Sequence, residues 1–433
     1  MGGGEHVEIR PVTAGEAVEY LRVMPYYNGM PQWEPAPSAG YTGEAAWAPR
    51  SGFSEQALRT AAEDLLGDDF HPQAAFIDGR IVGGSAMLSL QITVPGPRIV
   101  ALSGVTDTAV IATHRRRGLL RAVMQAMFDE ALARGDAVAG LSASEGGIYG
   151  RFGFGPATMR TRWEIERAAV RWREPAPVTG SLELADAAVA RVAWPALHEQ
   201  ARRTRVGEVS AHRGLWQGIS DVPVGTDGPM RFVVHRDVAG QIDGAAQFRL
   251  PWAPRAQDTG ALRVESLEAL NADAYRDLWG LLLDFDLTRR IVAAPRPLDE
   301  PLRWLLADPR ALRVTRQSDN LWIRLLDLPA ALSARGYHSD DAVTVAIESD
   351  SMCPGNAGTW RLEASQGTGS CDRVVSAPDL TIDIEALGSL YLGGGSAALL
   401  AAAGRVREHR NGAVARLSRL LTTDPAPYNA IGF

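Results

Sequence analysis

Short apolar stretches separated by turns mark the start of a β-sheet early in the chain. Residues 74–78 (AAFID) are followed by a glycine turn and by residues 81–94 (IVGGSAMLSLQITV), a pattern typical of a β-hairpin. A second turn leads to residues 99–111, whose β-branched side chains predict another strand. The pattern therefore predicts an antiparallel sheet.

The next segment changes from strand to helical spacing. Residues 119–134 place apolar side chains on one face of a helix, which is predicted to stop at Gly135. Residues 137–144 (AVAGLSAS) return as a strand and lead into the glycine-rich stretch 145–157. A strand is thus expected to run directly into a helix near residue 118.

A weaker copy of this order recurs later and predicts a second, related domain. Its stretches are RFVVHRD, GAAQFRL, ALRVESLEAL, DAYRDLWGLLLDF and RIVAAPR, between residues 231 and 296. Before its helix stands NADA (271–274), without the arginines and the glycine of the first copy. This second domain is therefore expected to be structural and to bind no cofactor.

From about Leu321 the pattern predicts an α+β domain in which strands come first and helices follow. Proline-containing stretches at 173–180 and 294–301 lie near the two junctions. We therefore expect domains at residues 1–168, 169–312 and 313–433. Residues 25–52 form a long stretch rich in proline, glycine and aromatic residues, which favours a substrate lid.

Composition excludes several classes of protein. The 433 residues are 46% hydrophobic and 22% charged, as in globular proteins, and the net charge of -7 argues against nucleic acid as a partner. No apolar run approaches the roughly 18 residues needed to span a bilayer, and no signal peptide precedes the first domain, so a cytoplasmic protein without a membrane partner is expected. The two cysteines fit inert thiols, or else one disulfide, and no metal site is expected.

The strongest chemical signal is VIATHRRRGLLRA, residues 110–122, at the junction of strand and helix. Backbone N–H groups and the positive end of a helix dipole make such a junction an anion site. Gly118 lets the main chain approach a pyrophosphate, and the surrounding arginines add positive charge. The alternative is a solvated basic helix start.

Four blocks of the sequence resemble the enhanced intracellular survival (Eis) family of GNAT N-acetyltransferases. They are THRRRGLLR, ASEGGIYGRFGFGPAT, LWIRLLDLPAALSARGY and IEALGSLYLGG, spread in order over most of the chain. The GNAT pattern has arginine or glutamine, two residues, glycine, one residue, then glycine or alanine. Leu120 departs from its last position.

The resemblance implies an α+β fold with a GNAT domain, a second GNAT-like domain and a C-terminal domain similar to sterol carrier proteins. It also implies a homo-hexamer built as a trimer of dimers, and acetyl transfer from acetyl-CoA to amines, aminoglycoside antibiotics among them. The cofactor contacts carried over to this sequence are Thr108, Ala109, Val110, Arg116, Arg117, Gly118, Leu119, Leu120, Arg121, Ser144 and Glu145.

Two groups are predicted to move protons. The Tyr149 hydroxyl, with an ordinary pKa near 10, suits protonation of a departing thiolate. The resemblance implies that the base is the terminal carboxylate, which here belongs to Phe433; the backbone N–H near Val110 would stabilise the oxyanion. The alternatives are a tyrosine packed in a turn and a frayed chain end.

The acceptor amine stays open. Gly432 stands where well-known members of the family carry an acidic residue. Aromatic side chains of the long loop are candidates for an acceptor wall, namely Tyr26, Tyr27, Trp33, Tyr41 and Trp47. A small cationic or aromatic amine is the first hypothesis, and a natural product, a peptide or a protein lysine is the second. A lipid-binding protein with a vestigial GNAT domain is the non-enzyme alternative.

Overall fold

The structure is a computed structural model. It describes residues 6–27, 56, 59, 62–63, 69–174, 177–212, 215–219, 228–250, 260–286 and 288–433. The described residues form three units, each with its own β-sheet. Among them no helix is both long and apolar enough to cross a membrane.

The first unit contains the predicted hairpin and the predicted helix. Its strands are β1 (Val7–Pro11), β2 (Phe70–Ile77), β3 (Arg80–Val94), β4 (Arg98–Val110), β5 (Val138–Ser142) and β6 (Gly155–Pro156). Its helices are α1 (Ala17–Tyr27), α2 (Leu119–Arg134) and α3 (Gly146–Tyr149). Helix α2 ends as predicted at Gly135, whose φ of 87° lets its N–H bond back to the last turn.

The central unit repeats the order of strands and helices, as the sequence predicts. Its strands are β7 (Met159–Glu166), β8 (Ser181–Ala185), β9 (Met230–Arg236), β10 (Ile242–Arg249), β11 (Ala261–Ala269), β12 (Arg290–Arg296) and β13 (Arg313–Asp319). Its helices are α4 (Ala187–Arg202), α5 (Ala272–Leu283) and α6 (Leu302–Leu305).

The third unit is the predicted α+β domain. Its strands are β14 (Leu321–Leu325), β15 (Asp341–Ile347), β16 (Gly358–Ser365), β17 (Thr368–Arg373), β18 (Leu380–Ile382) and β19 (Val406–Glu408). Its helices are α7 (Leu328–Ala334), α8 (Ile384–Tyr391), α9 (Ala397–Ala402) and α10 (Ala413–Leu421). Short 3₁₀ turns of the described chain lie at Ala112–His114, Gly150–Phe152, Arg167–Ala169, Leu215–Gly218, Pro309–Ala311 and Pro354–Asn356.

Two of the sheets are completed by strands from elsewhere in the chain. In the described chain the first sheet has the order β1-β2-β3-β4-β5-β14-β6, and the second has the order β13-β7-β12-β11-β10-β9-β8. Strand β14 therefore follows the central unit in sequence but lies in the first sheet, between β5 and β6. The third sheet has the order β17-β16-β15-β18-β19.

A two-stranded ribbon joins the first and second sheets. Strand β6 pairs antiparallel with β14, and strand β7 pairs antiparallel with β13. The ladder therefore runs from Ile323 opposite Gly155 to Arg313 opposite Glu164. The expected boundaries at residues 168 and 312 therefore do not coincide with the division between sheets. Both β7 and β13 belong to the second sheet, whereas β14, which follows β13 in the sequence, belongs to the first.

Different cores cover the two faces of the first sheet. One face packs on α2, where Val105 and Met127 share a core with Tyr149. The opposite face packs on α1 at one end, around Tyr20, and on the third unit at the other end, around Leu90. Successive residues of β4 therefore contribute to different cores, as strand geometry requires.

A buried ion pair fastens the third unit to the first sheet, through the strand β14 that this unit contributes to it. The Arg324 guanidinium on β14 donates to both oxygens of Asp350, at 2.7 and 2.6 Å. The Asp350 carboxylate also accepts the backbone N–H of Cys353, at 3.0 Å, and the side-chain amide of Asn356, at 3.0 Å. Both charges are almost fully buried, which makes each depend on the other.

The cysteines are separate, buried thiols, in agreement with the first of the two expectations. Burial raises the pKa of the Cys371 thiol to about 12, and it also raises the pKa of Cys353. Both thiols are therefore protonated and unreactive near neutral pH.

Removing the negative charge of Asp350 should destabilise the protein strongly. Asp350→Asn keeps the side-chain volume but leaves the Arg324 charge buried without its counterion, a change that costs about 3–5 kcal/mol in comparable buried pairs. Glu348→Gln is the matched control, because Glu348 pairs with Arg407 on an exposed surface. Urea unfolding should show a much lower midpoint for Asp350→Asn alone; equal midpoints would contradict this account.

Candidate functional site

Strands β4 and β5 separate in the middle of the first sheet. Their parallel pairing is limited to Ser103 with Ala139 and Gly104 with Gly140. Beyond this point β4 remains paired with β3 as far as Val110, whereas β5 pairs with β14. The backbone edges of β4 and β5 therefore diverge and leave a wedge between them.

A β-bulge in β4 causes the strand to turn away. Between the pairs Gly84–Ala109 and Ala86–Thr106, one residue of β3 faces two residues of β4, and Asp107 has a φ of 50°. The Ser85 hydroxyl lies opposite the bulge, donates to the Thr106 carbonyl at 3.0 Å and lies 2.6 Å from the Thr108 hydroxyl. A bulge bends its strand and raises the local twist, which accounts for the divergence.

The N-terminus of α2 has unusual capping. Its N-cap residue is Gly118, with a φ of 80°, and no side chain in the described chain caps the first turn. No atom of the described residues lies within 4 Å of the position that a Cβ at Gly118 would occupy. The preceding residues Arg115, Arg116 and Arg117 are exposed. Uncapped N–H groups and exposed arginines at one helix end form an anion site.

The Tyr149 side chain lies at the end of α3, in the core that α2 covers. Its ring is 7% exposed and packs edge-on against Phe154, with the ring centroids 6.3 Å apart. Ser144 and Glu145 are exposed in the turn between β5 and α3. The short path from the end of β5 thus brings Tyr149 beside the wedge.

The last residues of the sequence are docked against the other two units. The Tyr428 N–H donates to the Val206 carbonyl at 2.9 Å, and the Ala430 N–H donates to the Glu208 carboxylate at 2.9 Å. Burial raises the pKa of the Glu208 carboxyl. A backbone so held is not a frayed end.

The Phe433 ring lies where β4 and β5 begin to separate. A Cβ at Gly104 would come within 2.9 Å of this ring, so glycine is needed for the close contact. Gly104 and Val105 point to opposite faces of the sheet, and Val105 shares its core with Tyr149. Tyr149 and Phe433 therefore approach the wedge from opposite faces.

Most of the predicted site residues surround this wedge. Val110 and its neighbours lie on one edge, and Arg121 lies on the first turn of α2, where its guanidinium donates to the Ser351 carbonyl at 3.2 Å. Tyr26 and Tyr27 end α1, but their side chains lie outside the described part of the structure. The loop aromatics Trp33, Tyr41 and Trp47 also lie outside the described residues.

Two residues of the wedge were missed by sequence reasoning. Asp107 lies at the bulge of β4 and Tyr20 lies on α1, and neither belongs to a recognised motif. A charged side chain inside the β-branched run VTDTAV is the signal that points to Asp107. No comparable signal marks Tyr20.

The equivalent wedge of the central unit is filled by protein. Strands β11 and β12 pair from Ala261 with Arg290 to Val264 with Ala293. Beyond these pairs the buried Arg296 guanidinium donates to the Leu267 carbonyl at 3.3 Å and to the Glu300 carboxylate at 2.6 Å.

Helix α5, beside the wedge of the central unit, differs from α2 because its N-terminus is capped and carries an acidic residue. The Asn271 side chain caps α5 by accepting the Ala274 N–H at 2.8 Å. Asp273 adds a negative charge in the first turn. The capped N–H and the acidic residue oppose an anion there.

Family models match all three units. Acetyltransferase (GNAT) domain models match residues 55–157 and 207–325, and a sterol carrier protein domain model matches residues 328–430. The predicted fold class, two GNAT-type domains followed by a sterol-carrier-like domain, is confirmed.

Relatives match along most of the chain. An uncharacterized N-acetyltransferase of Streptomyces coelicolor is 39% identical over 81% of this chain and 86% of its own length. The N-acetyltransferase Eis of Mycobacterium tuberculosis is 34% identical over 82% of this chain and 86% of its own length. The crystal structure of Eis1 from Mycobacterium abscessus superposes with a TM-score of 0.81, at 31% identity, over 98% of this chain and 100% of that chain.

Proposed function

Because the chain belongs to the Eis family of GNAT N-acetyltransferases, we propose that it transfers the acetyl group of acetyl-CoA to a primary amine of a small cationic or aromatic acceptor. The observation that carries the proposal is the wedge between β4 and β5, with Tyr149 on one face and Phe433 on the other. A natural-product, peptide or protein lysine amine is the second candidate acceptor. The alternative of a lipid-binding protein without activity is not retained, since the relatives are named N-acetyltransferases.

The described residues fit a coenzyme A ester. The uncapped first turn of α2 and the arginines before it supply N–H donors and positive charge for the pyrophosphate. Thr108, Ala109 and Val110 would contact the acetyl and pantetheine parts along the edge of β4, and Ser144 and Glu145 would contact the cofactor from the turn after β5. Acetyl-CoA supplies the activated acetyl group. The filled wedge of the central unit supports one cofactor per chain.

Three groups of the chain then serve the transfer. The Phe433 carboxylate accepts the proton that the attacking amine must lose, directly or through one water. The backbone N–H near Val110 donates to the oxygen on which negative charge develops. The Tyr149 hydroxyl donates a proton to the departing sulfur. The homo-hexamer implied by the family resemblance stays a prediction.

Cofactor binding tests the anion site at α2. Gly118→Asp should weaken acetyl-CoA binding at least roughly tenfold, about 1.4 kcal/mol, because a carboxylate there repels phosphate. Isothermal titration calorimetry of the wild type should give one site per chain, and two would refute the structural role of the central unit.

Gly135→Asp is the matched control for this substitution. Gly135 also has a positive φ, and no described residue lies within 4 Å of the position of its Cβ, but it lies at the opposite end of the same helix. Backbone strain and added charge are thus the same in both variants. Equal loss of affinity in both would show that the phosphates do not lie at the N-terminus of α2.

The role of Tyr149 can be measured by removing its hydroxyl. Tyr149→Phe should lower kcat by about 10²- to 10⁴-fold and leave the acetyl-CoA dissociation constant unchanged. The control is Tyr337→Phe, which removes a buried hydroxyl bonded to the Leu332 carbonyl in the third unit. That control should lower stability by roughly 1 kcal/mol without a change in kcat. An unchanged kcat in Tyr149→Phe would contradict the role of Tyr149 as the proton donor.

The terminal carboxylate is tested by moving or neutralising it. A short C-terminal extension, or amidation of Phe433 by semisynthesis, should lower kcat by about 10²-fold or more with little change in acetyl-CoA affinity. An identical extension at the N-terminus is the control. If the amidated protein kept full activity with its best acceptor, Glu145 or a water chain would be the next base to test.

A further inference from the structure

The side chain of Asp107 lies at the bulge, in the middle of the predicted site. Its φ of 50° is a conformation that aspartate and asparagine adopt more readily than most other residues. The residue as a whole is half-buried. Asp107 is neither part of the cofactor motif nor required to hold the bulge, which the Ser85 hydroxyl already bridges.

Within the described chain the Asp107 carboxylate makes no hydrogen bond and no ion pair. Burial raises its pKa, because protein atoms displace the water that would stabilise its charge. A carboxylate in such surroundings gains most from a cation that the protein itself does not supply.

A second unpartnered oxygen faces the same place. The Tyr20 residue is only 1% exposed, and its buried hydroxyl has no hydrogen-bond partner among the described residues. Burial raises the pKa of Tyr20, and the nearby charge of Asp107 raises it further. A Cβ at Gly84, which pairs with Ala109 just after the bulge, would come to 3.0 Å from the Tyr20 ring, so this ring lies against the bulge. A donor between the Tyr20 hydroxyl and the Asp107 carboxylate would satisfy both oxygens.

The order of residues along β4 places Asp107 and Tyr20 near the end of the wedge at which the Phe433 ring lies. Gly104 contacts the Phe433 ring, Asp107 follows three residues later, and Ala109 packs in the core of Tyr20. Three residues of a strand span about 10 Å. Asp107 thus lies along β4 between the residue that contacts the Phe433 ring and the residue that packs in the core of Tyr20.

We propose that the Asp107 carboxylate binds the ammonium group of the acceptor before this group loses its proton to the Phe433 carboxylate and attacks the acetyl group as a neutral amine, so that the enzyme selects alkyl amines that are cationic at neutral pH. The Tyr20 hydroxyl lies beside this group as a second polar contact. This inference rests on the proposed function, because it assigns the acceptor to the same wedge. It makes Asp107 a specificity-determining residue, distinct from the groups that move protons.

The test compares a cationic acceptor with a neutral one in Asp107→Asn. Asparagine keeps the volume and tolerates the positive φ, but it carries no charge. The KM for phenethylamine, which is cationic, should rise at least roughly tenfold, about 1.4 kcal/mol. The KM for p-anisidine, an arylamine that is neutral at pH 7.5, should stay within about twofold, and so should the acetyl-CoA dissociation constant.

Asp78→Asn is the matched control. Asp78 has a φ of 49°, nearly that of Asp107, but it lies in the exposed turn between β2 and β3. It should leave both KM values unchanged. If kcat in Asp107→Asn fell equally for both acceptors at an unchanged melting temperature, Asp107 would be a base and the proposal would be overturned. If kcat fell equally for both acceptors and the melting temperature also fell, the role of Asp107 would be structural and the proposal would again be overturned.

Different results would refute the proposed function and the proposed role of Asp107. Wild-type protein that releases no coenzyme A with any amine would refute the proposed function. Calorimetric titration of phenethylamine into protein saturated with coenzyme A tests Asp107 independently of turnover. Wild type should bind the amine at least roughly tenfold more tightly than Asp107→Asn. Equal affinity in that titration would refute the role of Asp107.

Discussion

The ribbon between the first and second sheets holds the functional parts together. At its crossing point the backbone N–H groups of Ala157 and Thr158 both donate to the Leu321 carbonyl, and the Leu321 N–H donates to the Thr158 hydroxyl at 3.0 Å. The Asn320 side chain next to it donates to the Asn429 carbonyl at 2.7 Å. The crossing of the strands and the docking of the chain end are thus one buried network, whose polar atoms are costly to leave unpaired.

The two GNAT-type units show how similar strand orders give a binding wedge or a closed core. In the first unit a bulge holds β4 away from β5, and no side chain of the described residues caps α2. In the central unit the Arg296–Glu300 pair lies in the wedge, and the Trp163 indole donates to Glu300 at 3.3 Å. A buried, well-bonded ion pair fixes one arrangement, because either charge alone would be costly in that interior. The difference lies in side chains and capping rather than in strand order.

Sequence reasoning succeeded where the determinants are local. The first hairpin, helix α2 with its stop at Gly135 and the second copy of the pattern depend on spacing within a few residues. The strand exchange could not be predicted in this way, because β14 meets β5 only after the whole central unit has intervened. Local spacing also does not reveal that β7, before the expected boundary at residue 168, pairs with β13, after the expected boundary at residue 312.

The candidate site shows the same division between local and long-range information. The arginine and glycine turn before α2 is visible in the sequence, since neighbouring residues form it. The position of the Phe433 ring on Gly104 depends on contacts made by Asn429 and Ala430 with distant segments. Asp107 is an unusual residue in its strand, but only the folded structure shows that its carboxylate has no partner among the described residues and that the Tyr20 ring lies against the same bulge.

The insertion of β14 between β5 and β6 also governs the order in which the protein can mature on the ribosome. A nascent chain that ends before Leu321 contains both the arginine turn and Tyr149, yet the edge of β5 that β14 later covers is unpaired. Exposed strand edges of incomplete chains favour aggregation. The first unit therefore needs protection throughout synthesis of the central unit, and a fragment cut after residue 168 would be a poor substitute for the whole enzyme.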